Sequence, residues 1–118
     1  MKLEEYGALI KANELFDHVV VDMALLSERS GCKRLVDQQI ASADSIASNI
    51  EEGFGRGSRK EYTQFLIISR GSVQETKGRY GRMKHWIPEE TIQARQMLCN
   101  EIIAILSSTI KTLRSPQT

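Results

Sequence analysis

Apolar residues in this chain recur at alternating steps of three and four, and the pattern is interrupted at only three places, Ser30-Gly31-Cys32, Gly53-Phe54-Gly55-Arg56-Gly57 and Ile87-Pro88. Steps of three and four keep side chains on one face of an α-helix, whereas a half-buried strand needs steps of two. The first segment carries Leu9, Ala12, Phe16, Val19, Met23 and Leu26 on one such face. The second repeats Val36, Ile40, Ala43, Ala47, Ile50 and Phe54 as 4-3-4-3-4, the spacing of a left-handed bundle. Its small residues (Ala41, Ser42, Ala43, Ser45, Ala47, Ser48) let neighbouring helices approach closely and place it near the centre of the fold. The third opens on Ser58-Arg59-Lys60-Glu61, the pattern of a capping box. Tyr62, Phe65, Leu66, Ser69, Val73, Thr76, Tyr80 and Met83 follow as its core positions. Two interior glycines, Gly71 and Gly78, cost about 1 kcal/mol each against alanine; they mark either close contact with another helix or a tolerated weakness. The fourth begins at Pro88-Glu89-Glu90, carries Ile92, Cys99, Ile102, Ile103, Leu106, Ile110 and Leu113, and stops before Ser115-Pro116. Helices over about 6–29, 34–54, 59–86 and 89–113, joined by short turns, predict a single all-α domain spanning 1–118. Its architecture is an up-down-up-down antiparallel four-helix bundle, left-handed.

An apolar fraction of 41% sets the chain apart from disordered sequences. The apolar runs at 19–21 and 23–26 are broken by Asp22 and fall far short of a membrane span, so no membrane contact is expected. The N-terminus, MKLEEYGALI, has acidic residues where a signal peptide needs a basic start, which points to the cytoplasm. Cys32 and Cys99 form neither a C-x-x-C pair nor a disulfide framework and read as reduced thiols.

The chemistry-bearing residues do not assemble into a catalytic pattern. Di-metal bundles use a Glu-x-x-His step, and neither His18 nor His85 has glutamate three residues earlier. Glu14, His18 and Asp22 share a face that lies off the apolar stripe and reads as solvated. Cys99 falls on a core face, Cys32 in a turn, and no base stands beside either in sequence. Ser42, Ser45 and Ser48 read as packing residues with hydroxyls bonded to the preceding turn. The Gly53-x-Gly55-x-Gly57-Ser58 run lacks the Walker order and a preceding strand, so it reads as a tight turn using glycine at positive φ. Free N–H groups at the start of the third helix, beside Arg56, Arg59 and Lys60, could still hold a nucleic-acid phosphate. The chain is therefore expected to be non-enzymatic and to carry no cofactor or metal.

Net charge is +1, but its distribution is uneven. Residues 1–55 hold 5 basic and 10 acidic side chains, residues 56–85 hold 8 and 2, and residues 86–118 hold 3 of each. Arg70, Lys77 and Lys84 recur every seventh residue along one flank of the basic third helix, and Arg79 and Arg82 mark the other. Two uses fit this polarity: contact with a phosphate backbone, or pairing with an acidic face of the same bundle or of another subunit.

Ser45-Ile46-Ala47-Ser48-Asn49-Ile50-Glu51-Glu52-Gly53-Phe54-Gly55-Arg56, continuing through Ser58-Arg59-Lys60-Glu61-Tyr62-Thr63-Gln64-Phe65-Leu66 to Gly71-Ser72-Val73-Gln74-Glu75, resembles a known pattern. It is similar to the small bacterial 23S ribosomal-RNA intervening-sequence proteins, which are related to retroelement accessory proteins, and the likeness is specific over residues 36–80. Glu51 stands where alanine is usual, and Arg70 precedes Gly71 where alanine is usual. The resemblance implies a non-enzymatic helical bundle, a homopentameric ring, and a role in binding structured RNA or DNA. Its motif residues here include Asn49, Glu52, Gly53, Arg56, Ser58, Glu61, Gly71, Ser72 and Glu75. Physically, Asn49 and Glu52 at the end of the second helix and Arg56, Ser58 and Glu61 across the turn would fix the hairpin, through Glu52–Arg56 or Arg56–Glu61. Gly71 and Ser72 would allow close packing against the second helix or another subunit. The nucleic-acid surface would comprise Arg56, Arg59, Lys60, Arg70, Lys77, Arg79, Arg82 and Lys84. The alternative is an adaptor oligomer that docks a protein partner without nucleic acid.

Overall fold

The structure, a computed structural model, describes residues 1–116. Four helices account for most of it: α1 (Gly7–Ala24), α2 (Lys33–Phe54), α3 (Arg59–Arg82) and α4 (Glu89–Arg114). Short 3-10 turns lie at Leu3–Glu5 and Met83–His85, and the described residues contain no strand. Four residues between α2 and α3 reach at most about 14 Å, less than half the length of either helix, so the chain must reverse there. Pairs across the helices run in opposite order throughout: Tyr6 with Thr109 and Asp22 with Arg95 between α1 and α4, Gln39 with Thr76 and Ile46 with Ser69 between α2 and α3. Each helix packs on its sequence neighbours and α4 closes on α1, giving an antiparallel bundle 55 × 22 × 20 Å.

The 3-4 stripes meet along the axis, where Leu15, Val19, Met23, Ile46, Ile50, Leu66, Tyr80, Met83, Ile102 and Leu106 are fully buried. Phe54 departs from expectation: at the last turn of α2 it is 41% exposed, with its ring set edge-on to that of Tyr62, 6.2 Å between centroids. The first helix also ends earlier than residue 29. After Ala24 the chain tightens into bonds from the N–H of Leu25 to Asp22 O and of Leu26 to Met23 O, while the Ser27 hydroxyl takes the Ala24 carbonyl. This turn still buries Leu26 before Gly31, at φ 87, redirects the chain into α2.

Gly31 is the one residue at positive φ among those described, so the glycine run between α2 and α3 does not use that freedom as expected; Gly55 sits at φ −78. Gly53 serves a different purpose. A Cβ there would stand 2.7 Å from Phe65 Cβ and 3.0 Å from Tyr62 Cδ1, so its hydrogen lets α2 and α3 meet closely. Gly71 and Gly78 do not mark such a contact within the chain. A Cβ on Gly71 would meet nothing within 4 Å, and one on Gly78 only the Arg82 guanidinium at 3.6 Å. At the start of α3 the Ser58 hydroxyl accepts the Glu61 N–H at 3.1 Å, but the Glu61 carboxylate takes the Ser58 hydroxyl at 3.3 Å rather than its backbone N–H. The capping box is therefore half formed.

Candidate nucleic-acid interface

The hairpin between α2 and α3 is fixed by local polar contacts. Arg56 Nη2 donates to Glu52 Oε1 at 2.6 Å, and its guanidinium lies 5.1 Å from the centre of the Phe65 ring; Glu61 is engaged by Ser58 instead. Asn49 Nδ2 donates to the Ser45 carbonyl and hydroxyl oxygens, both at 2.8 Å, and the Ser72 hydroxyl donates to Ser45 Oγ at 2.9 Å. Ser45 thus joins Asn49 to α3. Ser42 and Ser48 each bond back to the preceding turn, and Ser42 also meets Thr76 Oγ1 at 2.8 Å. Gly71 is exposed, and Glu75 stands 3.9 Å from Arg79.

Arg79 does not lie on an exposed flank. It is buried between α2 and α3, where Nη1 donates to Gln39 Oε1 at 2.8 Å and Ser42 Oγ at 2.9 Å. Burial draws this guanidinium below the ordinary arginine pKa, against the opposing pull of Glu75. Gln39, itself fully buried, spends its amide on the Thr76 carbonyl at 3.0 Å, so the cluster is satisfied internally.

Asp22 is likewise not part of a solvated face with Glu14 and His18. It is 3% exposed and accepts from Tyr80 Oη at 2.7 Å, Arg95 Nε at 2.8 Å and Arg95 Nη2 at 3.2 Å, so one carboxylate ties α1 to α3 and α4. Burial, then the bond to the carboxylate, pushes the Tyr80 hydroxyl pKa up; the same carboxylate raises Arg95. Cys99 lies buried in the core and its thiol is pushed up to about 12 by burial. Such a thiol is not a nucleophile at neutral pH.

The remaining cations are differently placed. Arg59 caps the end of α4, donating to the carbonyls of Thr112 and Leu113, both at 3.1 Å, and Arg70 Nη1 reaches Ser107 Oγ at 3.2 Å. Lys60, Arg82 and Lys84 are exposed and Lys77 is half-buried. Among the described residues, none of these six has a carboxylate within 4.0 Å, whereas Arg56 and Arg79 do.

A family model described as "23S rRNA-intervening sequence protein" matches residues 5–108. The chain belongs to this family. A solved structure with the same fold is a protein of unknown function from the S23 ribosomal protein family of Bacteroides thetaiotaomicron, 24% identical, covering 88% of this chain and 98% of that one with a TM-score of 0.82. No curated protein matches.

In this intervening-sequence protein the sequence pattern found the basic helix but not which of its charges are spent inside the bundle. A signal for Arg79 was present in that it lies seven residues before Trp86 and three after Thr76, on the edge of the core stripe. Lys111 and Arg114 lie outside the basic third helix in sequence, and the fold brings them beside Arg70 and Lys60. Among the described residues no three His, Cys, Asp or Glu side chains are placed to hold a metal, and no helix is long and apolar enough to cross a membrane.

Proposed function

We propose that this protein is a non-enzymatic, ring-forming bundle that binds structured RNA or DNA through α3 and the turn before it. The observation that carries the reading is electrostatic. Arg59, Lys60, Arg70, Lys77 and Arg82 along α3, and Lys84 in the 3-10 turn after it, have no carboxylate partners within 4.0 Å among the described residues, so their charge is available to a phosphate backbone. Arg79 is removed from that set by its burial, and Arg56 is held by Glu52. Assembly is supported by the outer face of α1 and the turn after it, where Val21 is 66% and Leu25 60% exposed, an apolar surface suited to a second copy. A ring would add the modest affinity of each subunit into a useful avidity.

Fluorescence anisotropy with a labelled RNA hairpin tests the binding. Affinity should fall steeply as salt rises, because each phosphate contact releases counterions. Absence of binding at tens of micromolar protein in low salt would refute the reading and leave a protein-docking oligomer in its place. Light scattering of the purified chain tests the assembly, and a monomer at those concentrations would remove the ring.

A further inference from the structure

We infer that the cleft between α3 and the last turns of α4 is the seat of a nucleic-acid duplex, gripped by its phosphates, with Lys111 and Arg114 of α4 completing the site. This rests on the nucleic-acid reading above and adds a second wall to it. Two shallow grooves lie side by side along this cleft and share Arg114. Arg59 and Lys60 line the first over a floor of Ile67 and Leu113, and Arg70 and Lys111 line the second over Ile110. Five cationic side chains from two helices thus converge, and among the described residues no carboxylate lines either groove.

The cations are held without being neutralised. Arg70 is oriented by the neutral Ser107 hydroxyl, and Arg59 by the carbonyls of Thr112 and Leu113 at the negative end of the α4 dipole, which offsets about half a charge and leaves the guanidinium net positive. Among the described residues, none of the five has a carboxylate within 4.0 Å. From Arg59 to Arg70 the cleft runs about 16 Å at the helical rise, long enough to follow several phosphates of one strand.

The lining also selects among ligands. Protein interfaces centre on aromatic residues and methionine and are poor in lysine; among the described residues these grooves are lined by neither aromatic residues nor methionine and include Lys60 and Lys111, while their arginines suit either partner. Single strands are held by stacking bases on aromatic rings, and among the described residues no aromatic ring lines either groove. What the cleft offers is positive charge on two facing walls, which matches the dense phosphates of a duplex and reads no base sequence.

The test is anisotropy with a labelled RNA hairpin and the full chain, comparing wild type with the double variant Lys111→Gln, Arg114→Gln. Arg34→Gln, at the opposite end of the bundle, serves as control, and circular dichroism confirms helicity for each. The double variant should lose about tenfold or more in affinity at low salt, and the slope of log affinity against log salt should flatten by about 2, the share of two phosphate contacts. Lys60→Gln, on the facing wall, should show a loss in the same direction, so the result does not hang on one variant. An unstructured strand of equal length should bind about tenfold more weakly. If wild type binds the hairpin but the double variant and Lys60→Gln bind equally well, the cleft is overturned while the general reading stands. Equal affinity for the unstructured strand overturns the duplex assignment. A wild type that binds neither nucleic acid overturns both readings.

Discussion

Two glycines in this bundle should respond in opposite directions to the same methyl group. At Gly53 the added carbon would stand 2.7 Å from Phe65 Cβ and 3.0 Å from Tyr62 Cδ1. Phe65 Cβ is fixed to the α3 backbone and cannot swing away, so α2 and α3 must part or Phe65 must shift off its rotamer. Overpacking of this kind costs about 1–3 kcal/mol. The gain in helix propensity returns about 1 kcal/mol, leaving Gly53→Ala destabilised by up to about 2 kcal/mol. At Gly71 the same carbon meets nothing within 4 Å on an exposed face of α3, so only the propensity gain acts and Gly71→Ala should stabilise by about 0.5–1 kcal/mol. At about 4 °C per kcal/mol for a domain of this size, the two variants should melt roughly 2–12 °C apart. Thermal unfolding followed by far-ultraviolet circular dichroism reads this directly. Gly53→Ala melting at or above wild type would refute the close approach of α2 and α3. Gly71→Ala melting below wild type would show that the face is covered after all.

Removing the Asp22 carboxylate as Asp22→Ala should cost about 3 kcal/mol, because Arg95 and the buried Tyr80 hydroxyl both lose their acceptor; a loss below 1 kcal/mol in urea unfolding would contradict the three-helix junction. Alkaline pH should also destabilise the fold. The Cys99 thiol moves from an ordinary 9.0 to about 12 on folding, so the folded chain keeps a proton that the unfolded chain gives up. The stabilisation is complete below about pH 9 and drains away as pH rises toward 12, at up to about 1.4 kcal/mol per pH unit, with Tyr80 acting in the same direction above its ordinary value of 10.0. Urea unfolding of wild type and Cys99→Ala between about pH 8 and pH 10 isolates the thiol, since the variant should lose most of the slope over that interval. An identical slope in both would assign the loss elsewhere.

The helices themselves were written plainly in the 3-4 spacing, because a helix that buries one face repeats its apolar residues with that period whatever it packs against. Polar residues inside the apolar columns were harder to read. Leu15, Val19, Asp22 and Leu26 form one column and Val36, Gln39, Ala43, Ile46 and Ile50 another, each with a single polar member. Taken alone, Asp22 reads as solvated; only the arrival of Tyr80 and Arg95 from distant segments makes its burial affordable. Arg79 was misplaced for the same reason, since its partners Gln39 and Ser42 lie on another helix. The basic cleft was half legible. Charge counted along the chain found Arg59, Lys60 and Arg70, but Lys111 and Arg114 sit in a segment of balanced charge and join them only through the antiparallel return of α4.

The Asp22 junction bears on something the apolar stripes leave undetermined. A heptad-like stripe fits its neighbours almost equally well after sliding by seven residues, so greasy packing alone permits α4 to settle one notch out of alignment. Such a slide would carry Arg95 about 10 Å along the axis and leave Asp22 facing hydrocarbon without a counter-ion. Burying that lone carboxylate costs more than the displaced packing would recover. One acidic residue at a core position therefore acts as an index pin, admitting a single alignment of α1, α3 and α4 from a family of near-equal ones.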